Sequence, residues 1–327
     1  MSGRGAAVPA RLGEFDLIRR FFDRGPARRV ELGIGDDCAL IRPQAPGASL
    51  AVSTDMLVAG RHFFDDVDPR ALGHKALAVN LSDLAAMGAQ PLAFTLALAL
   101  PRVDVSWLER FSAGLFAIAD RFDCELVGGD TTRGPLNVCI TVMGELPAGS
   151  ALRRDRAEPG DDVWVSGELG GAAFAVRRRA DAAVPCIDDA AQRRLDLPEP
   201  RVALGLALRH RARAAIDLSD GLIGDLGHIC ERSRVGAQVD WPAVPLAPEL
   251  RGLGLQDQVA LALAGGDDYE LLFTAAPENR RAIEALGPSV GVPLNRIGRI
   301  VAGDGVTVLD SRGAVVPVGA HSYDHFG

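Results

Sequence analysis

A chain of 327 residues is longer than one simple core sustains and fits two domains of roughly 150–175 residues each. Its net charge of −8 offers no basic face for nucleic acid, and although 48% of its residues are hydrophobic, no apolar run reaches the ~18 residues of a membrane span. The five cysteines (Cys38, Cys124, Cys139, Cys186 and Cys230) are odd in number and lack CxxC spacing, which argues against a disulfide framework and a zinc site.

In chain order, residues 1–10 lack the apolar core of a secretory signal, which suits a cytoplasmic protein. Glu14 to Phe22 has the spacing of a short amphipathic helix, and Val30 to Leu32 begins a strand running into Gly33, Gly35 and the pair Asp36-Asp37. Leu50 to Val52 is a strand ending on Ser53-Thr54-Asp55, followed by a loop through His62. Pro69 opens a helix bearing Leu72, Ala76, Val79 and Leu84 at helical spacing; it runs to Met87, stops at Gly88 and carries Asp83. Pro91 to Leu100 is a nearly unbroken apolar strand, as in a sheet buried on both faces. A helix over 106–122 leads to Glu125-Leu126-Val127 and the tip Gly128-Gly129-Asp130, and Asn137 to Leu146 is a strand closing the first half. The turn at 147–150 and the polar run 153–162 mark a boundary, giving expected domains of 1–149 and 150–327.

The second half predicts strands at 163–165, 214–216, 269–274, 296–301, 306–309 and 314–318, with helices at 170–179, 202–210, 222–233 and 279–286. These elements make an α+β protein. Each half carries a Leu-Ser-Asp and, some 45 residues later, a Gly-Gly-Asp, a faint echo between halves.

The chemistry lies in the recurring aspartates Asp36, Asp37, Asp55, Asp83, Asp130, Asp217, Asp220 and Asp267. Any one of them is ordinary as a helix cap or turn residue. As a set they are not, because capping does not require Gly-Gly or Ser-Thr ahead of the carboxylate so regularly. An acidic site can take a phosphate ligand when Mg²⁺ stands between the two sets of charge. The sequence holds no GxxxxGK[ST] loop, no GxGxxG opening a helix and no EF-hand spacing, so nucleotide binding here goes by an Asp–metal route. Arg133, Arg153, Arg154 and Arg156 form either a solvated face or, in part, a phosphate clamp, and His62 is a loop histidine or a ligand contact. Lys75 is the only lysine among 35 basic residues; arginine-favouring codon usage accounts for that, or the position needs a compact ammonium.

The segments GIGDDCAL, STDMLVAGRHF, KALAVNLSDLAAMGA, GGDTTRGPL, DLSDGL, GGDDYEL and the final YDHF closely resemble the thiamine-monophosphate kinase family, in order from about residue 13 to 326. The resemblance implies a two-domain α+β fold of the aminoimidazole ribonucleotide synthetase-like superfamily, dimeric through its first domain, with ATP in the cleft between domains. It implies ATP-dependent phosphorylation of thiamine monophosphate to thiamine diphosphate, with ATP and thiamine monophosphate as ligands and no nucleic-acid or membrane partner. Carried onto matching positions, Asp37, Ser53, Thr54, Asp55, Asp83, Asp130, Asp217 and Asp220 would hold several Mg²⁺ ions. Gly129, Asp130, Arg154 and Ser219 would contact ATP; His62, Asp267 and Tyr323 would contact the substrate. Asp267 departs from the family's usual Glu by one methylene, which shortens its reach.

The acceptor is a phosphate oxygen that is already anionic, so the expected chemistry is direct, metal-assisted transfer with no residue as nucleophile. Two alternatives stay open at this point: a sister enzyme that phosphorylates an amide or carbonyl oxygen, and a nucleotide-binding protein without turnover.

Overall fold

The computed structural model describes residues 14–25, 41, 46–180 and 190–319. Its first half contains α1 (Glu14–Leu17, continued by a π-helical turn Ile18–Phe22), β1 (Ser49–Val58), α2 (Pro69–Ala86), β2 (Gln90–Leu100), α3 (Val105–Arg121), β3 (Glu125–Arg133) and β4 (Asn137–Leu146). The strands form a four-stranded sheet in the order β1-β4-β2-β3. The second half contains β5 (Asp162–Ser166), α4 (Gly171–Ala180), α5 (Ala190–Asp196), α6 (Val202–Leu208), β6 (Ala214–Asp217), α7 (Leu222–Ser233), β7 (Gly236–Asp240), α8 (Leu255–Leu263), β8 (Leu271–Ala275), α9 (Arg280–Glu284), α10 (Leu286–Val290), β9 (Leu294–Val301) and β10 (Val306–Leu309). Its six-stranded sheet is ordered β10-β7-β9-β5-β8-β6.

Strand alternation explains how the two halves join. In β5, Trp164 points to one face while Val163 and Val165 point to the other; in β8, Phe273 and Ala275 oppose Leu272. The Trp164 and Phe273 face shares one core with α2, α3 and the inner face of the first sheet. The opposite face builds a second core with Leu226 and Ile229 of α7 and Val259 of α8. Both faces of β5 and β8 are therefore buried, and these strands read as apolar runs.

Helix α2 is the centre of this packing. Asp68 caps it, accepting a hydrogen bond from the Arg70 N–H, and Pro69 occupies the first turn. Of its 18 residues 13 are buried, including Lys75, Asn80 and Ser82, so it is enclosed by protein on nearly every side. Close approach depends on glycine. A Cβ on Gly114 of α3 would lie 1.9 Å from the Arg70 carbonyl oxygen, and one on Gly205 of α6 would lie 2.0 Å from that of Ala85. Glu270, which follows the Gly-Gly-Asp-Asp run, adds a pin: it accepts hydrogen bonds from Ser166 Oγ (2.5 Å) and from Arg201 Nε (2.7 Å) at the start of α6.

Several sequence expectations change. Strand β1 does not end on Ser53-Thr54-Asp55 but continues to Val58, and β3 runs through Gly128-Gly129-Asp130 to Arg133, so neither stretch is a strand-end tip. Pairing along the neighbouring strand β4, and along β2 for β3, carries them on. No strand forms over 314–318 beyond a single bridge from Val315 to Leu309, and the second-half Leu-Ser-Asp sits in a turn where the first lies in a helix. Helix α5 and strand β7 were not anticipated. The strand expected at 30–32 and the Asp36-Asp37 turn lie outside the described residues.

The Gly205 contact yields a direct expectation. Gly205→Ala must push α6 off α2, an overpacking cost of about 1–3 kcal/mol. A urea titration should show a lower midpoint with an unchanged slope; an unchanged midpoint would mean that α6 yields without cost.

Candidate active site

A cleft between the two sheets has two lobes that both touch Asp83. One, of about 660 Å³, is lined by Asp55, Asp83, Asp217 and Asp220 together with His62, Ser219 and Asp267. The other, of about 610 Å³, is lined by Ser53, Asp83, Arg153, Arg154, His228 and Arg232. Acids dominate one lobe and arginines the other.

Local structure explains each position. On β1, Ser53 and Asp55 share one face by strand alternation. Ser53 Oγ donates to Asp83 Oδ2 at 2.5 Å, and the Asp55 N–H donates to Asn80 Oδ1 at 3.1 Å, tying β1 to the last turns of α2. Asn80 is itself held, its Nδ2 donating to the Ala76 carbonyl at 3.0 Å. Asp217 is the last residue of β6 and is buried; Asp220 follows in the turn ahead of α7. The Val58 N–H donates to His62 Nδ1 at 3.0 Å, which leaves the proton of a neutral imidazole on Nε2.

The carboxylates resist ionisation together. Burial, then the charges of Asp83 and Asp220, pushes Asp55 up to about 7. Burial and the Asp83 charge push Asp217 up to about 8. Asp83 is raised by burial, against the lowering effects of the Ser53 hydroxyl and Arg154. Such groups favour a cation to neutralise them. Among the described residues no three His, Cys, Asp or Glu side chains converge as a ready-made metal cage. The donor set instead suits Mg²⁺, which takes one or two carboxylates and completes its shell with water and phosphate oxygens.

Not every expected residue joins the cleft. Thr54 points to the opposite face of the sheet, where its hydroxyl hydrogen-bonds that of Thr141 at 2.8 Å. Gly129 and Asp130 lie on β3, at the other edge of the first sheet from β1. Asp37 and Tyr323 lie outside the described residues.

Two residues of the site, Asp225 and Tyr269, were missed from sequence, while Lys75, weighed there between codon usage and a need for an ammonium, faces the acidic lobe's Asp267. Asp225 of α7 accepts hydrogen bonds from the Asp220 and Gly221 N–H groups (3.2 and 3.1 Å), holding the Asp220 turn, and burial followed by the Asp220 charge lifts it to about 7. Its four-residue spacing from Gly221 at a helix start was the available signal. Tyr269 lines the acidic lobe; burial, followed by the Asp267 charge, keeps its phenol protonated far above the usual range. Lys75, 2% exposed, reaches Asp267 Oδ2 at 3.3 Å.

The chain matches the family models for the AIR synthase related protein N-terminal domain over residues 35–146 and C-terminal domain over 158–311. It is 48% identical to the thiamine-monophosphate kinase of Escherichia coli (strain K12), covering 96% of this chain and 98% of that one. It is 34% identical to that of Bacillus subtilis (strain 168), covering 88% and 91%. The crystal structure of thiamine-monophosphate kinase from Stenotrophomonas maltophilia K279a superposes with a TM-score of 0.82 at 50% identity, covering 88% of this chain and 92% of that one. A structure described as AaThiL complexed with AMPPCP and TMP superposes with a TM-score of 0.76 at 30% identity, covering 86% and 89%. With matching domains in both halves and relatives aligned over nearly its whole length, the chain belongs to the thiamine-monophosphate kinase family.

Proposed function

We propose that the chain transfers the γ-phosphate of ATP directly to the phosphate of thiamine monophosphate, giving thiamine diphosphate, by Mg²⁺-assisted in-line displacement. The observation that carries this is the two-lobed cleft with Asp83 at its waist. ATP in the arginine lobe, with Arg154 on its phosphates, and thiamine monophosphate in the acidic lobe would meet phosphate to phosphate beside Asp55 and Asp83. The relative described as complexed with AMPPCP and TMP supports the same pair of reactants.

Magnesium held by Asp55, Asp83, Asp217 and Asp220 would neutralise and orient the phosphates. The chain's own groups do the remaining work. Ser53 fixes the Asp83 carboxylate and Asn80 fixes the backbone at Asp55. His62, with its proton on Nε2, can donate to a substrate phosphate oxygen, and Asp267, held by Lys75, faces the same lobe. Because the attacking oxygen is already anionic, no general base is required. Asp37 would complete the proposed metal ligands, Ser219 the ATP contacts and Tyr323 the substrate contacts. In this scheme residues 1–149 hold metal and dimerise, and 150–327 close the cleft. An acidic chain without paired-cysteine spacing suits the cytoplasm, and among the described residues no helix is long and apolar enough to cross a membrane.

Purified protein incubated with ATP, Mg²⁺ and thiamine monophosphate should yield thiamine diphosphate in step with ADP, and Asp83→Asn should lower kcat by about 10²–10³-fold. ADP and free phosphate without thiamine diphosphate would mean a different acceptor.

A second expectation concerns pH. Asp55 and Asp217 bind protons more tightly folded than unfolded, so between pH 4 and about 8 the native state holds more protons and stability falls as pH rises. Thermal melts of metal-free protein should therefore show a lower Tm at pH 8 than at pH 5. Added Mg²⁺ should raise Tm, and more at pH 8 than at pH 6, since protons compete for the same oxygens. A Mg²⁺ effect independent of pH would remove these carboxylates from the ion's shell.

A further inference from the structure

We infer that Lys75 and Tyr269 hold the Asp267 carboxylate as a fixed acceptor for the ring amino group of the substrate, selecting an aminopyrimidine over its oxo analogue. This rests on thiamine monophosphate as the substrate proposed above. The acidic lobe follows α2. Asp83, Val79 and Lys75 are spaced four apart and form one stripe of that helix; Asp83 and Val79 line the lobe, and Lys75 reaches it through Asp267. Eight residues of helix put ~12 Å between the Lys75 and Asp83 backbones. The lobe therefore has a phosphate end beside Asp83, an apolar middle at Val79 and a second polar group at the Lys75 end, with Leu57, Ala173 and Val176 adding apolar wall. Thiamine monophosphate has the same order: a phosphate, a thiazolium ring, and a pyrimidine whose amino group lies at the far end.

The loop that carries Asp267 is built to hold it. Asp267 and Tyr269 have φ of +69° and +49°, the left-handed region that side chains other than glycine avoid. That strain persists because the loop is tied down on both sides. The Asp267 N–H donates to the Ser219 carbonyl at 2.9 Å and the Tyr269 N–H to that of Leu218 at 2.8 Å. Between and after them, Asp268 accepts from the Gly170 N–H on both oxygens (3.0 and 2.9 Å), and Glu270 is pinned by Ser166 and Arg201. Alternate residues thus anchor the loop, and Asp267 and Tyr269 are left lining the lobe. Lys75, its side chain 3% exposed, donates to Asp267 Oδ2 at 3.3 Å. Burial, and then the charges of Asp267, Asp55 and Asp217, keep the Tyr269 phenol protonated, so it too is a donor beside Asp267. A carboxylate paired with an ammonium has only acceptors to offer a ligand. It receives an amino N–H and repels an oxo oxygen, so discrimination comes from attraction and repulsion together.

The test compares thiamine monophosphate with oxythiamine monophosphate, which carries an oxo group in place of the ring amino group. Calorimetry with Mg²⁺ and a non-hydrolysable ATP analogue present should show wild type binding the amino compound about 10–100-fold more tightly. Asp267→Asn, whose amide can donate to the oxo group, should abolish or reverse that preference. Lys75→Met should narrow it to less than about threefold and raise KM for thiamine monophosphate more than it lowers kcat. Tyr269→Phe, which keeps the ring and its packing, should narrow it as well and carries the test if Lys75→Met does not fold. Binding of the ATP analogue alone, in the arginine lobe, reports that each variant is folded. Equal binding of the two compounds by wild type, or a preference that Asp267→Asn leaves unchanged, overturns the proposal while the kinase activity stands. A preference unchanged in both Lys75→Met and Tyr269→Phe overturns it too, since neither then positions the acceptor. Wild type that binds the amino compound selectively yet forms no thiamine diphosphate supports the amino contact and removes the kinase activity instead.

Discussion

The structure depends on burying a helix that ends in charge. Helix α2 is enclosed by α3, α6 and both sheets, and its last turn brings Asp83 to the waist of the cleft. The backbone approaches of Gly114 and Gly205 fix its depth. Because the helix cannot slide without breaking the core it centres, Asp83 has one position, and Ser53 locks its rotamer. The negative end of the helix dipole lies in the same turn, so the site was built to attract a cation before any ligand arrives.

That placement is costly without a cation. Asp55, Asp217 and Asp225 are lifted to about 7, 8 and 7 by burial and mutual repulsion, so at neutral pH much of the cluster holds protons. A metal ion held by these carboxylates with a phosphate would take the place of those protons and offset the repulsion. The arginine lobe on the other side of Asp83 attracts the opposite partner. Two lobes of opposite charge sharing one carboxylate suit the proposed order of reactants, with a nucleotide tail on one side, a phosphate acceptor on the other and a metal held between them.

Much of this was legible in sequence, unevenly. Asp83 on a helix, the stop at Gly88 and the apolar runs of β2 and β5 follow from spacing alone, because period and punctuation are local. The aspartates stand out in the sequence as a set, and Asp55, Asp83, Asp217 and Asp220 line one lobe of the cleft. Asp130 shows the limit. Its Gly-Gly-Asp context is the same as that of Asp267, yet Asp130 sits inside a paired strand while Asp267 sits in a loop with φ of +69°. Strand pairing between residues distant in sequence decides that difference, and no local motif encodes it. Thr54 and Asp55 are neighbours in sequence and lie on opposite faces for the same reason.

Lys75 joins the two halves of this account. Every other basic residue is arginine, yet the position facing the Gly-Gly-Asp-Asp loop from inside α2 keeps an ammonium. Lys75 is 2% exposed and its Nζ meets Asp267 at 3.3 Å, between a helix packed on all sides and a loop that cannot retreat: a Cβ on Gly266 would lie 2.2 Å from the Ser219 carbonyl oxygen. A planar guanidinium, broader than an ammonium and fixed in its fork, has little room to turn between those backbones. Asp267 is one methylene shorter than the Glu implied by the family resemblance, and the lysine's flexible four-carbon stem can follow that shorter acid where a rigid fork would not. The packing around Asp267 accounts for a lysine at this one position among the arginines.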